Sequence, residues 1–167
     1  MIIGTNNSKV MFYNRVSNGN YVVNQTVSPF YKRNQPQMSD DAKYAVVLKS
    51  SMSISILERI GGILTEIQSI TSPAVISDIQ FSQTFKFLAF LDSNMDIHVY
   101  ENTGSFIFKQ TINLGAYFAR RIKVTDDTII ATVFSPDILI YKYNGTHFQL
   151  DTVFTTPESN IMYFHFL

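Results

Sequence analysis

Side chains able to do chemistry are few in this sequence, and their spacing limits what they can do together. The histidines are His98, His147 and His165. They do not recur in phase and none has a partner at metal-ligand spacing, so each is expected as a surface or half-buried imidazole. Asp40-Asp41 and Asp126-Asp127 could offer oxygens to calcium. Such a site needs several ligands converging within one loop, whereas paired carboxylates beside Ser or Thr are ordinary turn formers. Ser135-Pro136-Asp137 also reads as turn chemistry, because Pro and Asp favour the positions of a tight reversal. Cysteine is absent, which excludes disulfides and thiolate metal sites within this chain. No Gly-x-Ser-x-Gly, phosphate loop or zinc motif occurs. Catalytic residues, metal ligands and cofactors are therefore expected to be none.

One group points to recognition instead. Arg120, Arg121 and Lys123 form the densest basic cluster, with Tyr117 and Phe118 immediately before them. Cations beside exposed aromatic rings suit an acidic protein partner. The competing reading is a solvated edge whose aromatics pack inward.

The elements that must position these residues repeat. A polar turn, an alternating apolar strand, a glycine-containing turn and a second strand recur at Thr5–Val27, Lys49–Ile70, Asp92–Ile112 and Val133–Val153. The turn glycines Gly19, Gly61, Gly104 and Gly145 lie 42, 43 and 41 residues apart. The closing strands end alike, at Gln25-Thr26-Val27, Gln68-Ser69-Ile70, Gln110-Thr111-Ile112 and Asp151-Thr152-Val153. Matching turns at Ser39-Asp40-Asp41, Ser82-Gln83-Thr84 and Thr125-Asp126-Asp127 precede further apolar strands. A strand-borne period in this range is the mark of propeller blades. The expected fold is all-β and propeller-like, with blades at about 1–29, 30–73, 74–115 and 116–157 and a closing strand over 158–167. Residues 161–167 are expected to complete the first blade by pairing near Met1–Thr5, because an open sheet edge invites aggregation. That pairing can close a ring of four, join two chains into a ring of eight, or end an open arc completed by another protein.

Composition agrees. Of 167 residues, 46% are apolar and 16% charged, which argues against extensive disorder. Nine Tyr and fourteen Phe favour pleated sheet. Thirteen basic residues balance thirteen acidic ones, so no nucleic-acid footprint is expected. No apolar run reaches membrane-spanning length. An intracellular location is slightly favoured, since the start is too soon polar for a signal peptide.

In turn and third strand the chain resembles the WD-repeat propeller family. Thr5–Asn14, Lys49–Glu58, Asp92–Glu101 and Val133–Lys142 overlay without gaps. Tyr13, Leu57, Tyr100 and Tyr141 stand at the family's Trp, and Asn14, Glu58, Glu101 and Lys142 at its following Asp. Asn7, Ser51, Asn94 and Ser135 replace its turn Asp, and no Gly-His pair precedes a blade. The expected function is a non-enzymatic interaction or scaffold module within a larger assembly, its partners other subunits or a second copy. The alternatives are a glycan- or small-ligand-binding propeller and, further off, a propeller enzyme. The latter would need acid–base groups on inner strands, where Asp78, Arg121, Lys123 and His165 stand.

Overall fold

The computed structural model describes residues 2–6, 9–16, 20–27, 36–39, 41–133 and 137–155. These fold into fifteen strands, with turns between them. The strands form four sheets built from consecutive segments. The first holds β1 (Ile2–Asn6), β2 (Lys9–Arg15) and β3 (Tyr21–Val27), and the second β4 (Gln37–Met38), β5 (Tyr44–Ser50), β6 (Ser53–Ile60) and β7 (Ile63–Thr71). The third holds β8 (Ile76–Phe81), β9 (Phe87–Asp92), β10 (Asp96–Asn102) and β11 (Phe106–Asn113). The fourth holds β12 (Ala119–Val124), β13 (Thr128–Val133), β14 (Asp137–Tyr143) and β15 (Phe148–Thr155). This is the up-and-down blade expected from the repeat. The proposed closing strand, residues 158–167, lies outside the described residues, as do Gly19, Asp40, Ser135 and Pro136.

Two compact units divide the chain, Met1–Ile76 and Ser77–Leu167. In the first, Phe12 is wholly buried against Ala45, Val47, Leu57 and Leu64. In the second, the third sheet contributes Phe87, Ala89, Leu91, Ile97 and Val99 to a core shared with Ile122, Val124, Ile129, Ala131, Leu139 and Tyr141 of the fourth. Both sets follow the period-2 alternation of a strand, which turns every second side chain to one face.

The recurrent turns owe their shape to one hydroxyl each. Ser39 Oγ accepts the Tyr44 amide at 2.9 Å and Ser82 Oγ that of Phe87 at 3.0 Å. Thr125 Oγ1 takes the Thr128 amide at 3.0 Å. Asp41 and Asp127 brace two of these turns from below, each accepting from the turn's own hydroxyl at 2.6 and 2.8 Å. The Ser39 hydroxyl at Asp41, and the Thr128 and Thr125 hydroxyls at Asp127, hold both carboxylates below their usual pKa. They serve as turn formers, as their setting beside Ser and Thr implies. At Gly104 the backbone has φ 106°, a conformation open to glycine and costly for other residues.

All four sheets share a bulge at an equivalent place. The third strand of each repeat slips register against the fourth between Phe12 and Tyr13, Ile56 and Leu57, Val99 and Tyr100, and Ile140 and Tyr141. The residue after each extra one is Gln25, Gln68, Gln110 and Thr152, facing Phe12, Ile56, Val99 and Ile140. The first three closing motifs thus align as their letters suggest, and the fourth is displaced by one place, with Thr152 rather than Asp151 at the glutamine position. Two of these glutamines clasp the next sheet. Gln25 Nε2 donates to the Leu64 carbonyl at 2.6 Å while its Oε1 accepts the Leu64 amide at 2.7 Å. Gln110 grips Phe148 in the same way, at 2.9 and 2.7 Å. A primary amide presents one donor and one acceptor side by side, so it can satisfy a strand's backbone as another strand would.

Candidate functional site

The basic–aromatic group is assembled as its sequence suggests. The connector from β11 to β12 turns through Leu114 and Gly115, whose amide is held by Asn113 Oδ1 at 2.8 Å. It leaves Phe118 64% and Tyr117 36% exposed. Along β12 the residues Ala119, Ile122 and Val124 are buried while Arg120, Arg121 and Lys123 are exposed. Two adjacent arginines can both face out because the register shifts between Ala119 and Arg121, leaving Arg120 the extra residue. All five expected partner-binding residues are therefore brought to one short, accessible stretch.

Beneath it lies Asp78 of β8, only 3% exposed. Its Oδ2 accepts the Ile122 amide at 2.9 Å and its Oδ1 the Ile79 amide at 3.0 Å. The Arg121 guanidinium stands 3.5 Å from Oδ1 with its own side chain largely in water. Burial raises the carboxyl's pKa, against the opposing pull of the Ile122 amide and Arg121. A carboxyl with a raised folded pKa holds its proton longer folded than unfolded. Its contribution is most favourable below the ordinary carboxylate range and declines as pH rises through the folded pKa. Asp78→Asn is accordingly expected to flatten this downward slope in unfolding free energy above the ordinary carboxylate range. An unchanged slope in urea titrations at stepped pH would show that Asp78 is not its source.

A second cluster went unread in the sequence. His98, expected at the surface or half-buried, is buried to 7% exposure. Its Nε2 lies 3.0 Å from Asp92 Oδ2 and its Nδ1 3.2 Å from Thr111 Oγ1. Phe90 stacks on the ring at 4.8 Å between centroids. Asp92 is fully buried, and its Oδ1 accepts the amides of Asn94 and Asp96 at 2.9 and 3.1 Å. The turn acceptor sought at position 94 is supplied two residues earlier. The reason the pair was missed is geometric: strand pairing sets His98 opposite Thr111 and Phe90, and no local spacing reveals that.

Asp92, Asp96 and His98 have potential ligand atoms within 4.8 Å of one another. Each is already engaged, Asp96 by the Asn113 amide at 2.7 Å and the other two as above. The hydroxyl–imidazole–carboxylate order is also that of an activated nucleophile. Here both oxygens of the carboxylate are held and the ring is stacked, so the cluster ties the β9–β10 turn to β11 as a strut. His147 sits in the exposed turn after β14, its Nδ1 3.0 Å from Thr146 Oγ1. His165 lies outside the described residues. Among the described residues no helix is long and apolar enough to cross a membrane.

No protein-family model matches the chain, and no curated protein matches it. Solved structures do. A Bacteroides fragilis protein described as a candidate 6-phosphogluconolactonase is 13% identical, with a TM-score of 0.68 over 89% of this chain and 49% of its own. The β-propeller domain of Myceliophteria thermophila Cps50 (Swd1) is 9% identical, with a TM-score of 0.69 over 90% and 54%. Kluyvelomyces marxianus Hsv2 is 12% identical, with a TM-score of 0.62 over 92% and 60%. The chain spans about half the length of the first of these. At such identities the likeness is one of fold, and the fold is all-β and propeller-like, in four blade-like sheets.

Proposed function

We propose that this chain works by binding other proteins, as a non-enzymatic module of a larger assembly. The observation that carries the reading is the display of Tyr117, Phe118, Arg120, Arg121 and Lys123 together on one firmly packed strand and its connector. Aromatic rings and guanidinium groups are the side chains most often found at the energetic centre of protein interfaces. The strand that carries them is anchored by Ile122 and Val124 in the core, so little ordering entropy is lost on binding.

The test uses the whole chain in extracts of the cells it comes from. Its native particle is expected to exceed the 19.0 kDa of one chain. The double variant Arg120→Glu, Lys123→Glu, at two exposed positions of β12 that leave the Arg121–Asp78 pair intact, should shed partners while its stability stays within about 0.5 kcal/mol of the parent, as is usual for surface positions. A wild-type particle that runs as the bare chain would sink the reading, as would a double variant that unfolds.

A further inference from the structure

The turn that joins β14 to β15 folds one side chain back over its own backbone. Asn144 opens the turn, its backbone amide donating to the His147 carbonyl at 3.1 Å. Its Oδ1 accepts the amides of Thr146 and His147, both at 3.0 Å, and the Thr146 hydroxyl at 2.8 Å. That hydroxyl is steadied in turn by His147 Nδ1 at 3.0 Å. Only an oxygen can accept from two backbone amides, which fixes this atom as the carbonyl and its neighbour as Nδ2. Nδ2 lies 3.4 Å from both His147 Nε2 and Gln149 Oε1. Residues 144–147 are all exposed.

The next residue is Gly145, whose nitrogen would close a succinimide ring if it bonded to Asn144 Cγ. Glycine has no side chain to shield that nitrogen, and nothing lies within 4 Å of where a Cβ at 145 would stand. Because Oδ1 is tied to the amides of residues 146 and 147, the carboxamide lies along the Gly145 peptide instead of turning out to water. Reacting groups already held together gain rate. The three donors also meet Oδ1 where negative charge builds during attack on the carboxamide, as in an oxyanion hole. Asn102 and Asn113 fold onto the amides of Gly104 and Gly115 at 3.0 and 2.8 Å. Thr103 and Leu114 follow them, and a side chain there crowds the attacking nitrogen. Among these three turns, Asn144 alone joins the donors to an open nucleophile.

We infer that Asn144 is a self-modification site, where the native turn drives the carboxamide through a succinimide to aspartate and isoaspartate. The Gly145 nitrogen loses its proton to water and bonds to Cγ, and the carbonyl electron pair moves onto Oδ1. When that pair returns, the Cγ–Nδ2 bond breaks, and the nitrogen leaves as ammonia with a proton from solvent. Water then opens the succinimide at either carbonyl. One opening gives aspartate, and the other gives isoaspartate, whose backbone runs through Cβ and Cγ. One water is consumed and one ammonia released, with no oxidation or reduction. The product sets a carboxylate two residues from Lys142 in a chain whose formal charges balance. Isoaspartate also lengthens the turn that follows the pair Tyr143↔Phe148.

The experiment incubates the purified full chain at neutral pH, once folded and once in concentrated guanidinium. Peptide mass spectrometry with chromatography separates the Asn, Asp and isoaspartate forms. In the guanidinium sample Asn18-Gly19, the same dipeptide in the first repeat, supplies a second unfolded rate. Folded, Asn144 should react about tenfold or more faster than unfolded, solvent holding the gain below that of a closed active site. Asn102 and Asn113 should stay intact. Thr146→Val removes one donor and should slow the folded reaction about threefold or more. Thr146→Ser keeps the hydroxyl and should react like the parent. A folded rate equal to or below the unfolded one would overturn the inference, because the turn would then protect Asn144. Equal rates in the Val and Ser variants would also overturn it, since the donors on Oδ1 would not be driving the step.

Discussion

Asp92→Ala is expected to cost about 3–5 kcal/mol, the range for removing one partner of a buried, hydrogen-bonded charged group. The carboxylate is fully buried. Its loss strands the amides of Asn94 and Asp96 and the Nε2 side of His98. Asp92→Asn keeps an oxygen for the turn amides, so its cost should fall to about 1–2 kcal/mol, nearer that of a single altered hydrogen bond. Guanidinium unfolding of the two variants against the parent reads the difference directly. If both lose the same small amount, the Asp92–His98–Thr111 line is a surface contact and not a strut.

Phe87→Ala should be nearly as severe, at about 3–5 kcal/mol, the usual cost of emptying a buried aromatic site. The ring is wholly buried in the core joining the third and fourth sheets. It meets Tyr143 and Phe148 edge-on, both at 5.0 Å between centroids, with Lys86 Nζ 5.0 Å from its centre. Phe154→Ala, at a side chain 54% exposed in the same unit, should change stability by less than about 0.5 kcal/mol. Comparing the two thermal transitions tests whether the core is where the packing places it. A mild Phe87→Ala would mean that the two sheets hold together mainly through backbone clasps.

Much of the fold was legible because a strand writes its burial into alternate residues. Ile97 and Val99 face one core and His98 the opposite side, as period 2 requires. The hydroxyl turns were legible too, since Ser39, Ser82 and Thr125 recur at 43-residue spacing and each closes its own turn. What failed was anything set by pairing between strands. Asp151 reads as the repeat counterpart of Gln110 by letter, yet a bulge moves Thr152 into that place. The Asp92–His98–Thr111 line needs three strands in register, and the sequence shows them only one at a time. The exposed group from Tyr117 to Lys123 was legible as a cluster. That Arg120 and Arg121 both point outward depends on a register shift that no local rule announces.

The bulge repeated in the outermost strands has a bearing on how this protein survives in a crowded solution. β3, β7, β11 and β15 end their sheets, and they show water large apolar residues, among them Ile67, Ile107, Phe108, Leu150 and Val153. A straight, greasy border of that kind is a template for fibril growth by strand addition. The extra residues, Asn24, Ile67, Lys109 and Asp151, interrupt each border midway and increase its local twist. Three of the four are polar or charged, so an incoming strand meets a broken ladder and a solvated side chain where it would need to zip. The same irregularity that sets the clasping glutamines also keeps these borders from seeding polymer.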